Sequence, residues 1–141
     1  MKFILLFISL FFHFILLGQV GSFNNAKDWK LYDIADENVF QYRLDTLKNF
    51  SYQLLSGDTM RSFMGDLSEL PSNRPQVWMG AYVATFESGG VTRKIEISHY
   101  GGILYDESSK KHYKIAEKRI QEWLSYIRKS FMNIHMEPAI K

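Results

Sequence analysis

The chain has 141 residues, 16% of them aromatic, and a net charge of +2; that length holds one domain and not comfortably two. It contains no cysteine, which excludes a disulfide framework, a thiolate nucleophile, a cysteine-based zinc site and a lipid anchor on an N-terminal cysteine. Residues 22–109 carry eight basic and twelve acidic side chains, whereas residues 110–141 carry eight basic and three acidic, so an acidic body runs into a basic C-terminal segment suited to an anionic partner or to an ordinary solvated helix face.

Lys2, an apolar run over 3–17 broken only by Ser9 and His13, and the small residues Gly18, Gly21 and Ser22 form the pattern of a secretory signal peptide over 1–22. The run is shorter than the roughly 20 residues that span a bilayer, which favours a cleaved signal over an uncleaved anchor. The expectation is one exported domain over 23–141, periplasmic or extracellular, with no stable membrane anchor after cleavage. The missing disulfides favour a bacterial envelope or secreted protein.

Beyond the signal, the strand formers of 29–34 predict a short strand. Phe40, Tyr42 and Leu44 alternate with Gln41, Arg43 and Asp45, the period of a half-buried strand. Over 45–55 two strands are preferred, with Phe50, Tyr52 and Leu54 on one face; a helix is the competing reading. Asn49-Phe50-Ser51 is a glycosylation sequon, relevant only to a chain that passes through an endoplasmic reticulum. Asp58 is a candidate N-cap, and Met60, Phe63, Met64 and Leu67 follow at helical spacing, predicting a helix over about 58–69 that stops before Pro71.

The centre of the chain is a hairpin over about 77–98. Residues 77–87 are apolar on both sides, as in a strand covered on both faces. Ser88-Gly89-Gly90 supplies the turn, and Ile95 and Ile97 alternating with Lys94, Glu96 and Ser98 predict a strand with one wet face. Gly101-Gly102 marks a sharp corner; short strands at 103–105 and 112–115 then pair as a second hairpin. Ile120, Trp123, Leu124, Ile127 and Phe131 share one helical stripe, predicting a helix over about 116–131. The fold class is therefore α+β, a mainly antiparallel sheet with two helices packed on its central hairpin.

Chemistry is concentrated near the glycine corner. His99 and Asp106, with His112, are the candidate catalytic residues, because an imidazole beside a carboxylate makes an acid/base pair near neutral pH. Tyr100, Gly101, Gly102 and Tyr105 are the candidate binding residues around them. No nucleophile elbow accompanies the histidines. The spacing of His99 and His112 matches no established metal-ligand pattern, and Gly101-Gly102 precedes a strand, not the helix that a phosphate loop requires. Neither a metal nor a cofactor is expected, and export with an acidic body argues against nucleic acid as partner. Small size, export and a Tyr/Trp-rich make-up lead to a non-enzymatic binding role with a protein partner: an inhibitor, an immunity-type protein or an envelope-assembly protein. The alternative is a small hydrolase or acid/base enzyme using His99 and Asp106.

Overall fold

Strand alternation divides the apolar residues into two sets, and a computed structural model of residues 23–36, 39–71 and 81–136 shows a separate layer for each. Strand β1 (Lys27–Asp36) turns Trp29 and Leu31 to one side and Tyr32 and Ile34 to the other. Strand β4 (Ala81–Ser88) does the same with Tyr82, Ala84 and Phe86 against Ala81 and Val83. The larger side is the main core. Helix α2 (Gly57–Met64) brings Met60, Phe63 and Met64 onto it, and helix α3 (Ile120–Met136) brings Ile120, Trp123, Leu124 and Ile127. Phe63 meets Trp123 edge-on at 5.1 Å, and Trp29 stacks on Phe86 at 4.4 Å. On the smaller side Val39 and Leu47, from a 3-10 turn (Val39–Gln41) and the one-turn helix α1 (Leu44–Leu47), cover Tyr32, Ile34, Ala81 and Val83.

The seven strands among the described residues are antiparallel, in the order β2-β1-β4-β5-β6-β7-β3. Among these, strand β2 (Tyr52–Leu54) and strand β3 (Ser68–Glu69) are the two edges. The expected central hairpin is present as β4 and β5 (Val91–Ser98), paired without a break from Ala81↔Ser98 to Ser88↔Val91. Gly89 and Gly90 both have positive φ, 60° and 77°, as a two-residue hairpin loop demands. Strands β6 (Ile103–Asp106) and β7 (Lys111–Lys114) form the expected second hairpin. The chain is thus a single small α+β domain with three helices among the described residues. None of those helices is long and apolar enough to cross a membrane. The segment read as a signal peptide, residues 77–80 of the expected central strand and residues 72–76 before it lie outside the described residues.

Four expectations are corrected. No strand forms over Phe40–Leu44: local bonds from Tyr42 N–H to Val39 O and from Thr46 N–H to Arg43 O turn the chain, which lets Val39 and Leu47 reach the small core. Helix α2 is capped by Ser56, whose Oγ accepts from Thr59 N–H at 3.3 Å, while Asp58 pairs with Arg61. That helix ends at Met64 because Ser68 and Glu69 pair with β7 as an edge strand. Strand β5 has no wet face from Lys94 onward: Lys94, Glu96 and Ser98 are all buried.

The glycine corner is a packing device. Gly101 and Gly102 have φ of 71° and 63°, and Gly102 O accepts from Ile115 N–H at 2.9 Å. A Cβ on Gly102 would lie 3.1 Å from Ile120 Cγ1 and 3.3 Å from Ile115 Cβ, whereas one on Gly101 would meet only Ile103 at 3.8 Å. Gly101→Ala therefore costs about 1 kcal/mol for left-handed backbone alone, and Gly102→Ala costs roughly 2–3 kcal/mol because overpacking adds to it. Urea unfolding of the two variants at unchanged m-value measures the difference.

Candidate functional site

The three catalytic candidates do not meet. Asp106 is fully buried on the main-core side, ion-paired with Arg93. Its oxygens also accept from Ser108 N–H at 3.0 Å and from the Ser108 and Ser109 hydroxyls, each at 2.8 Å. The carboxylate thus closes the β6–β7 turn, and Arg93 lies over the rings of Phe23 and Phe86. His99 follows the end of β5, four residues from Ile95, the register partner of Asp106; at about 3.3 Å per strand residue that is about 13 Å. Its ring stacks on Tyr82 at 4.3 Å and 5°, and its Nε2 is buried with no hydrogen-bond partner among the described residues. Burial pushes the Tyr82 hydroxyl above its ordinary value, with Arg128 opposing. His112 is the register partner of Tyr105, so it faces the opposite side of the sheet from Asp106. Of the binding candidates, Tyr100 is exposed, Tyr105 is half-buried, and Gly101 and Gly102 form the packed corner.

A row that the sequence reading missed crosses that opposite side. Glu96 pairs in register with Tyr105, and Tyr105 with His112, so the three stand abreast on β5, β6 and β7. The Tyr105 and His112 rings lie 4.7 Å apart. Behind Glu96, Lys94 Nζ lies 3.3 Å from Glu96 Oε1 and 3.1 Å from Glu107 Oε2, and donates to Val39 O at 3.2 Å. The Glu96 contact is an ion pair off the hydrogen-bond line, since Oε1 accepts no hydrogen bond among the described residues. Burial pushes Glu96 above the usual carboxylate range, with Lys94 opposing. Burial, and then Glu96, raise Tyr105, while burial lowers His112. The row thus sets three titratable groups side by side, with Glu96 and Lys94 at its buried end and Tyr105 and His112 at its half-buried end. The signal was available in the four-residue turn 107–110: counting outward from it sets His112 against Tyr105. Among the described residues no three His, Asp or Glu groups cluster as a metal site.

The second surface is at the β2 edge. Asp33 N–H donates to Ser51 O and Leu55 N–H to Trp29 O, so by alternation Leu31 and Gln53 are the hydrogen-bonded pair between them. The main-chain groups of Tyr52 and Leu54 consequently face away from β1, where no strand lies among the described residues. Leu54 O takes the Gln53 side-chain amide at 3.2 Å. Tyr52 and Leu54 are 49% and 62% exposed, and on the same side a groove of about 350 Å³ is lined by Tyr32, Leu44, Phe50 and Tyr52 and also by the charged Asp28, Lys30, Lys48 and Glu87. Tyr32 Oη lies 3.3 Å from Thr85 Oγ1, and Lys30 Nζ sits 4.8 Å above the Tyr52 ring. This surface can hold an extended segment by its backbone and an apolar side chain in the groove.

Compared with protein-family models, curated proteins and solved structures, the chain matches none.

Three outcomes test the roles given to these groups. Asp106→Ala strands the Arg93 guanidinium and opens the turn, and costs roughly 3–5 kcal/mol in a denaturant titration. His112 favours its neutral form in the fold, so the unfolded chain takes up a proton first as pH falls below the ordinary 6.5. Stability therefore falls with falling pH between 6.5 and the lower folded value, and His112→Gln flattens that slope. Glu96 acts with the opposite sign: its raised folded value makes stability fall as pH rises from 4.5 through that value, and Glu96→Gln removes this component. Unfolding midpoints measured across pH for the two variants separate the contributions.

Proposed function

We propose that this chain is a small exported protein with a non-enzymatic binding role, as an inhibitor, an immunity-type protein or an envelope-assembly protein, and that strand β2 with its aromatic groove is its contact surface. The observation that carries the reading is the β2 edge, whose outward main-chain groups meet no strand among the described residues. Soluble proteins blunt sheet edges with Lys, Pro, bulges or covering elements, yet β2 reads Tyr-Gln-Leu with both large side chains exposed. The other edge, β3, is two residues long and carries Glu69 tied to Lys111 at 2.9 Å. Aromatic and aliphatic anchors beside unpaired main-chain groups are what strand addition uses. Export rests on the signal-peptide pattern of residues 1–22.

An acid/base enzyme working through His99 and Asp106 has no geometric observation in its favour, since Asp106 is committed to Arg93 and the turn serines. The binding reading is tested by capture from the envelope fraction of the source cell with wild type and with the double variant Tyr52→Asp/Leu54→Asp. Charges at an edge repel an added strand, so affinity for the captured partner falls at least about tenfold, equivalent to about 1.4 kcal/mol, while the unfolding midpoint stays near that of wild type. Undiminished capture by the variant, or no reproducible partner for wild type, defeats the reading.

A further inference from the structure

We propose that the outward face of helix α3 is a second docking surface, which takes an acidic amphipathic segment of a partner protein. The inference stands independently of the β2 edge. Gln121, Ser125, Arg128, Met132 and Met136 recur at spacings of three and four along α3, so they form one stripe opposite the buried Trp123 and Ile127. Met132 and Met136 are 62% and 77% exposed. They border a shallow groove of about 540 Å³ that also includes Arg128 and Lys129.

The charge on this stripe has one sign. From Trp123 to Met136 the helix contains no Asp or Glu, and the last carboxylate before it, Glu122, is held by Arg119 through two contacts of 3.1 Å. The negative end of the helix dipole accounts for basic residues near the C-terminus, but not for two exposed methionines in line with them. Methionine is the adaptable apolar contact of peptide-binding surfaces. Arg128 is steadied by donating to His99 O at 3.3 Å, which sets exposed Tyr100 beside the stripe and returns that corner residue to a contact role. The complementary ligand carries carboxylates for Arg128 and Lys129 and, about one helical turn further along, apolar side chains for Met132 and Met136. Two methionines are a small apolar surface for membrane insertion, which relies on a broad apolar face; a peptide is the better match.

The test titrates the folded chain against a labelled amphipathic peptide of Leu and Glu, against the same peptide with Lys in place of Glu, and against phosphatidylglycerol vesicles. Expected is saturable binding of the Glu peptide only, weakened by salt and reduced at least about tenfold, the equivalent of about 1.4 kcal/mol, by Arg128→Glu/Lys129→Glu and by Met132→Ser/Met136→Ser. A photoreactive residue in place of exposed Ser125, in a chain otherwise unaltered, should crosslink to the Glu peptide, which guards against variants that misfold. Equal binding of both peptides, binding of vesicles without peptide, self-association through this face, or variants as competent as wild type would each overturn the proposal. Loss of binding at α3 with capture through Tyr52 and Leu54 intact separates this surface from the other.

Discussion

Everything in this fold depends on the register of the β4–β5 hairpin. Gly89 and Gly90, both at positive φ, close a two-residue loop, and eight consecutive residue pairs follow from it. A slip of β5 by one residue against β4 would turn Ile95 and Ile97 away from the helices and carry Lys94 and Glu96 into the main core. The other strands add to the two sides of this unit: β1 beside β4, and β6 beside β5. The bulged pairing of β1, with Asp28 at φ 53°, shows where irregularity is tolerated, next to the hairpin and not within it.

The two sides of that sheet solve different problems. The helical side is nearly all hydrocarbon and aromatic ring; in its buried ion pair, Arg93 lies against aromatic faces and the Asp106 carboxylate also accepts from turn serines. Among the described residues, the other side has the 39–50 segment over part of it and buries charge instead. Lys94 is the pivot there, one ammonium serving two carboxylates and the carbonyl of Val39. Removing one partner of such a group leaves an uncompensated buried charge. Lys94 therefore joins the 39–50 segment to the sheet and keeps Glu96 in place beside the Tyr105–His112 pair.

Local patterns in the sequence carried the architecture further than the site. The β4–β5 turn, the β6–β7 hairpin, the five-residue stripe of α3 and the α+β class were legible because each is written in a contiguous periodicity or a glycine pair. The Phe40–Leu44 alternation misled because period-2 spacing also suits a turn whose buried residues, Val39 and Leu47, lie outside it. Lys94 and Glu96 were read as wet because burial of a charge depends on partners, and Glu107 and Val39 are distant in sequence. His99 and Asp106 were joined on proximity along the chain, which says nothing about a strand that carries one of them about four residues past the other. The β2 edge was invisible for the same reason: which strand is outermost is a property of the sheet order, and no local pattern records it.

That difference bears on where function resides. A contact surface needs side chains that folding does not use, and the glycine corner is largely spent on folding: Gly102 admits Ile120 and Ile115, Asp106 closes a turn, and His99 stacks on Tyr82. The unspent groups are elsewhere. Tyr52 and Leu54 could have been polar at no cost to the main core, because both point away from it; the same holds for Met132 and Met136. Large apolar side chains at positions where solvation would favour polar ones are informative only when they are grouped and accompanied by a matching polar feature. At β2 that feature is a row of outward main-chain groups, and on α3 it is a carboxylate-free pair of cations. As proposed contact surfaces, the two therefore call for different partner chemistry, an extended backbone at β2 and an acidic amphipathic segment at α3.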